Sequence, residues 1–250
     1  MDTAISVENL SKHFTDKKRG LIKAVDRLSF GCRAGSVFGL LGLNGAGKTT
    51  TLRLLATMLR PTSGTAKVAG FDIVTQSDRV KSKIGFLTGS TGLYLRLSPR
   101  EVVSYFGRLA GMDTATVKSR TNMLFDMLGI GEFADRRIDK LSTGQKQKTS
   151  IARTLIHDPP VLILDEPTVG LDVVTSRAII ELIRGAKNQG KCVVFSTHQM
   201  HEAASLCDEI GVIHEGALKT HGTLAEFRQR WGKENLDDIF VAIIENGGAR

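Results

Sequence analysis

Apolar and polar residues alternate through AISVENL at 4–10 and again through LIKAVDRLSF at 21–30, with the basic stretch TDKKRG between them. A period of two puts successive side chains on opposite faces, so both segments read as strands exposed on one side, paired in a small antiparallel sheet. SVFGLLG at 36–42 is apolar and runs into a glycine-rich turn, after which Leu52, Leu55, Ala56 and Leu59 follow a helical period that Pro61 ends. Residues 65–73 return to short strand character, and IGFL at 84–87 reads as a buried strand.

From Pro99 to about His157 the spacing is helical, with Val102, Val103, Phe106 and Leu109 on one face and Met123, Leu124, Met127 and Leu128 on another. We expect a helical subdomain there. VLIL at 161–164 and CVVF at 192–195 are unbroken apolar runs separated by a helix from about Val173 to Lys187. Runs buried on both faces and joined by helical crossovers predict a parallel sheet. EIGVIHEGALKTHG reads as a hairpin turning at Glu215 and Gly216. In the tail from Thr223, the stripe Leu236, Ile239, Phe240, Ile243 and Ile244 is expected to dock on this chain rather than in a partner's groove.

A chain of 250 residues is one large domain, or a domain with a subdomain, and buries an ordinary core. Cys32, Cys192 and Cys207 have neither CxxC spacing nor histidine pairing, which predicts reduced thiols and no zinc site. No apolar run reaches the roughly 18 residues of a membrane span, and the first residues carry an acid and no signal-peptide core, so the chain is expected to be soluble. The balance of 34 basic against 26 acidic residues favours anionic partners such as nucleotides or lipid headgroups. The longest basic run, Lys17 to Arg19, is too short for a nucleic-acid arm, and no nucleic-acid partner is expected.

LSTGQKQKT at 141–149 opens a helix with hydroxyls, amides and two lysines, although the apolar spacing begins only at Ile151, Ala152 and Leu155. Ser142 and Gln145 fit a capping box, which accounts for the first free backbone amides. The first two turns are nonetheless free of core-facing residues, and a helix start with its unpaired N–H groups favours an anion.

GLNGAGKT at 42–49 fits GxxxxGK[ST] and lies between a strand and a helix. In such a loop Asn44, Gly45 and Gly47 bring backbone N–H groups around phosphates, and Lys48 reaches the β and γ phosphates. The Thr49 hydroxyl suits Mg²⁺, and Thr50 the α-phosphate. VLILDEPT ends a buried strand in two carboxylates, at the sheet edge where α/β folds hold their ligands. Asp165 is the candidate for the Mg²⁺ shell and Glu166 for the base that orients or deprotonates water. His198, just past CVVF, is a third group at a strand end, a candidate contact for the γ-phosphate and the water.

In this order and spacing, GLNGAGKTT, LSTGQKQKTSIARTL, VLILDEPTVGLD and FSTH resemble the ATP-binding cassette of ABC transporters, over roughly residues 4–222. The resemblance implies an α/β fold with three parts. These are a P-loop NTPase core with a parallel sheet and an N-terminal antiparallel β subdomain (1–88 and 158–222), an inserted helical subdomain (89–157) and a C-terminal helical tail (223–250). It implies ATP and Mg²⁺ as cofactors, ATP hydrolysis, an integral membrane permease as partner, and a homodimer or paired ATPase subunit at the cytoplasmic face of the membrane. LSTGQ corresponds to the family's signature, so Ser142, Gly144 and Gln145 would close on ATP held by the other protomer, and Gly170, Leu171 and Asp172 match the loop linking the two sites. Phe14 matches the aromatic that stacks on adenine. The stretches 51–74 and 84–112 look most like the ATPase subunits of NatA-type, sodium-extruding exporters; the alternatives are an ABC-type ATPase exporting a drug or other cargo, and a non-transport ABC ATPase acting on nucleic acid or ribosomes.

Two positions depart from the family pattern. Gly89 stands where a Mg²⁺-ligating, partner-sensing glutamine is usual, and Thr143 replaces a signature glycine. A β-branched residue disfavours positive φ, so Thr143 is either ordinary helix or changes the closure.

Overall fold

The computed structural model describes residues 3–18, 20–88 and 92–245. Strands β1 (Thr3–Asp16), β2 (Gly20–Arg33) and β3 (Val37–Leu41) come first. β1 and β2 pair antiparallel, with Thr15 and Asp16 of the basic stretch in β1, Gly20 in β2, and Lys17 and Lys18 in the turn. The chain then enters α1 (Lys48–Leu55), which stops short of the predicted Leu59. Thr57 takes a left-handed conformation, and the amides of Thr57 and Met58 turn back onto the carbonyls of Leu54 and Arg53 at 3.0 and 2.9 Å. β4 (Ser63–Val68) and β5 (Phe71–Asp72) complete a four-stranded sheet in the order β2-β1-β4-β5.

Next come α2 (Ser77–Lys83), β6 (Ile84–Leu87), α3 (Pro99–Leu109), α4 (Thr114–Leu128) and α5 (Thr143–Leu155). Ser98 and Glu101 form a capping box at the head of α3, and Asp113 caps α4. Val102, Val103, Leu124 and Leu128 are buried as predicted, but Leu109, Met123 and Met127 are exposed, so the two stripes are narrower than their periodicity implied.

β7 (Val161–Asp165), α6 (Val173–Asn188), β8 (Cys192–Thr197), α7 (Met200–Leu206), β9 (Glu209–His214) and β10 (Ala217–Gly222) follow. They complete a six-stranded sheet in the order β10-β9-β3-β8-β7-β6, parallel except for the β9-β10 hairpin. Because β8 lies between β3 and β7, the carboxyl ends of the three strands stand side by side. Leu41 is in register with Thr197, and Asp165 with Ser196. That register assembles the site.

α8 (Leu224–Trp231) and α9 (Leu236–Glu245) pack back on the sheet. Leu236, Ile239, Phe240 and Ile243 join Leu41, Ala203, Ile210 and Val212 in one buried cluster, each large side chain contributing about 2 kcal/mol on burial. The tail's stripe is therefore occupied by its own chain. Cys32 and Cys192 are buried with sulfurs 3.1 Å apart. Among the described residues no helix is long and apolar enough to cross a membrane.

Candidate functional site

The turn between β3 and α1 is built around close backbone approaches. Gly47 sits at φ +105°, and a Cβ there would lie 2.3 Å from the Ala24 carbonyl oxygen, so only glycine fits. The turn encloses a cleft of about 180 Å³ lined by Ala24, Asn44, Gly45, Lys48, Thr50 and Glu166 among others. This is room for a phosphate chain. Lys48 is 4% exposed and donates to the carbonyls of Gly42 at 2.7 Å and Leu43 at 3.1 Å. Its Nζ also lies 3.3 Å from Glu166 Oε1.

Asp165, at the end of β7, is buried and surrounded by hydroxyls. Ser196 Oγ donates to Oδ1 at 2.7 Å, Thr49 Oγ1 to Oδ1 at 3.0 Å, and Thr88 Oγ1 to Oδ2 at 3.4 Å. No ion pair to it forms among the described residues. A buried carboxylate served only by oxygen donors fits a small hard cation, which keeps waters and phosphate oxygens in most of its positions. Among the described residues no cluster of three His, Cys, Asp or Glu offers a different metal site.

Glu166 holds φ at +46°, a conformation worth roughly 1–3 kcal/mol of strain for a residue with a side chain. Its amide is fixed by Ser196, through Oγ at 3.0 Å and the carbonyl at 3.2 Å. This backbone turn leaves the Glu166 carboxylate facing both Lys48 and His198, whose Nδ1 is 3.3 Å from Oε1. A carboxylate within reach of a buried lysine and an imidazole can accept a proton from water.

The other predicted residues lie apart. Ser142, Gly144 and Gln145 do not line the cleft. Ser142 Oγ accepts the Gln145 amide at 3.2 Å, and Gln145 Oε1 accepts the Ser142 amide at 3.0 Å, so the capping box is formed. Ser142 is exposed, and among the described residues its hydroxyl donates to no acceptor. Thr143 begins α5 in helical conformation, so the departure from glycine carries no backbone strain. Phe14 pairs with Ile22 on β2, two residues or about 7 Å from the cleft-lining Ala24. It is 40% exposed, with Lys12 Nζ 5.2 Å from its ring centre, and so is not a core residue. Gly89 lies outside the described residues.

Ser196 and Thr88 complete the surroundings of Asp165; Thr88, beside the missing glutamine, was a sequence candidate to serve the metal, and Ser196 was not singled out. The readable signal for Ser196 was a polar residue closing the apolar run CVVF, directly before Thr197 and His198.

A model of the ABC transporter family matches residues 25–169. The chain belongs to that family. It is 41% identical over 244 residues to the ABC transporter ATP-binding protein NatA of Bacillus subtilis, covering 97% of this chain and 99% of the relative. It is 39% identical to the Nod factor export ATP-binding protein I of Ralstonia nicotianae, covering 87% of this chain and 66% of that one. A solved dimeric structure of a bacterial ABC transporter cassette superposes with a TM-score of 0.81 at 25% identity, over 88% of this chain and 98% of the other.

The ABC chain described here is thus an ATP-binding transporter subunit and an ATPase, with the mixed α/β architecture of its structural neighbours.

Proposed function

We propose that this cassette works as a head-to-tail dimer that sandwiches two ATP molecules and drives a separate integral membrane permease from the cytoplasmic face of the membrane. The observation that carries this reading is the separation of the two half-sites. Lys48, Asp165, Glu166 and His198 converge at one sheet edge, while the exposed Ser142 and the head of α5 lie outside that cleft, bonded only to each other in the capping box. A second copy supplies what each half lacks. Val169, Val173 and Val174 flank Asp172 beside Gly144 and are 44%, 84% and 79% exposed, an apolar rim for such a contact. The dimeric structure of the neighbouring bacterial cassette supports the pairing of two copies.

In this reading Asn44, Gly45 and Gly47 present backbone N–H groups to the phosphates, Lys48 leaves the Gly42 and Leu43 carbonyls for the β and γ phosphates, and Phe14 carries the adenine. Thr49 and Asp165 would hold Mg²⁺, which when bound neutralises phosphate charge. Release of Lys48 frees Glu166 Oε1 to accept the attacking water's proton, with His198 Nδ1 fixing the carboxylate's direction. Closure on ATP and opening after loss of the γ-phosphate supply the difference in affinity that performs work.

The permease contact is assigned to the region from Tyr94 to Tyr105. Tyr94, Leu95 and Tyr105 are exposed, and beside them runs a groove of about 780 Å³ lined by Met58, Phe86, Phe106, Leu109 and Met112. The proposed cargo is Na⁺, on the likeness to sodium-extruding exporters; the 39% identity to the Nod factor export protein favours a larger organic cargo as the second reading. Inverted vesicles carrying the cassette with its permease decide between them. ATP-dependent ²²Na⁺ uptake that Lys48→Ala abolishes supports sodium export, and ATPase activity without such uptake rules it out.

A further inference from the structure

Glu202, on α7, is 3% exposed and outside the cleft. Its Oε1 accepts the Thr168 hydroxyl at 2.5 Å and its Oε2 the Thr197 hydroxyl at 2.9 Å. Both threonines are themselves buried. No ion pair to Glu202 forms among the described residues. A buried carboxylate costs several kcal/mol to desolvate, so its retention without a cation needs a reason beyond packing.

The two threonines supply one. Thr168 lies two residues after Glu166, in the turn closed by the Val169 amide on the Glu166 carbonyl at 3.3 Å. Thr197 lies one residue before His198, and its Oγ1 also accepts the Gln199 amide at 3.0 Å. One carboxylate therefore ties the segment carrying Glu166 to the segment carrying His198, whose side chains meet at 3.3 Å. Ser196 fixes the Glu166 amide from the other side. Between these two anchors the strained turn at φ +46° has little room to relax.

We propose that Glu202 is a positioning residue for ATP hydrolysis, clamping the Thr168 and Thr197 hydroxyls so that Glu166 and His198 hold their mutual geometry. This rests on the proposed roles of Glu166 and His198. It places Glu202 in the chemical step and not in nucleotide binding, because neither Lys48 nor the glycine turn touches it.

The test is steady-state ATP turnover by the full chain, with kcat and KM resolved for Glu202→Leu, Glu202→Gln, Thr168→Val and Thr197→Val. Misplacement of a catalytic group by about 1 Å costs up to a hundredfold. The expected result is a kcat lowered about tenfold or more in Glu202→Leu, with KM for ATP within about twofold of the parent. Glu202→Gln should recover most of kcat, because its amide offers an oxygen to one hydroxyl and N–H to the other. Each near-isosteric threonine variant should lower kcat in the same way, and these decide the matter if Glu202→Leu does not fold. Unchanged kcat in Glu202→Leu and both threonine variants, or KM rising in step with kcat falling, overturns the proposal. Glu166→Gln separates the two readings: full activity in that variant removes the base assignment itself, whereas an inert Glu166→Gln beside unaffected clamp variants removes only the role of Glu202.

Discussion

Lys48 Nζ stands 3.3 Å from Glu166 Oε1, and its remaining protons go to the carbonyls of Gly42 and Leu43. All three donors of Lys48, the lysine proposed to bind phosphate, have partners within the chain. On the proposed roles a phosphate drawn to Lys48 competes with Glu166, so that binding and freeing of the base are one event.

Glu166→Gln should therefore tighten ATP binding while stopping turnover. Replacing the carboxylate weakens its hold on Lys48 by about 1 kcal/mol, equivalent to roughly fivefold in affinity. Loss of a general base costs about a hundredfold or more in rate. Equilibrium titration with a fluorescent nucleotide, alongside phosphate release, checks both. Weaker binding in this variant would show that the ion pair does not compete with nucleotide.

Ser196 directs Asp165 through its 2.7 Å hydrogen bond. Ser196→Ala should raise the Mg²⁺ concentration needed for half-maximal turnover by about fivefold, the equivalent of one lost hydrogen bond of about 1 kcal/mol. A Mg²⁺ titration at saturating ATP is the measurement.

The two glycines proposed to meet phosphate should behave oppositely. Gly47→Ala forces a Cβ to 2.3 Å from a carbonyl oxygen at φ +105° and should destabilise the fold by about 2 kcal/mol or more. At Gly144 the added Cβ would meet Thr175 Oγ1 at 3.5 Å and Asp172 Oδ2 at 3.6 Å, ordinary contacts. Gly144→Ala should leave the denaturation midpoint unchanged and lower only turnover. Chemical denaturation of both variants tests the contrast.

The parts of the candidate site written in contiguous residues were placed by the sequence, because a glycine-rich turn or a carboxylate pair at a strand end is assembled locally. Groups brought in by register were not. Ser196 reaches Asp165 only because β8 lies beside β7, and Glu202 meets Thr168 across 34 residues of sequence. Periodicity over-extended the first helix since it carries no sign of the left-handed turn at Thr57. It placed Leu109 in the core for a related reason: an apolar groove open to solvent has the same pattern as a buried face. The parallel sheet and the docked tail followed correctly from unbroken apolar runs and a single helical stripe.

Asp72 closes the turn after β5 and is held down to a pKa of about 2, first by the Thr75 amide, then by the Thr65 hydroxyl and the Val74 amide, against the opposing effect of burial. A carboxyl whose folded pKa is depressed contributes stability that is complete above its unfolded pKa and is lost as pH falls through the folded one. The parent should lose this contribution between about pH 4 and pH 2. Asp72→Asn should be less stable at neutral pH and show a correspondingly smaller acid-induced loss. Denaturant midpoints measured across that range check the sign.

On the proposed mechanism ATP completes a site shared between two copies of this chain. Light scattering on Glu166→Gln, with and without ATP and Mg²⁺, tests it most directly, with Glu166→Gln/Ser142→Arg as the comparison. Ser142 is exposed, so the arginine leaves the phosphate loop untouched and costs only a helix cap of about 1 kcal/mol. Nucleotide should double the mass from 27.1 kDa in the first protein and leave the second monomeric although both bind ATP. A mass that stays at 27.1 kDa with ATP bound, or a dimer that forms equally well with Ser142→Arg, would contradict it.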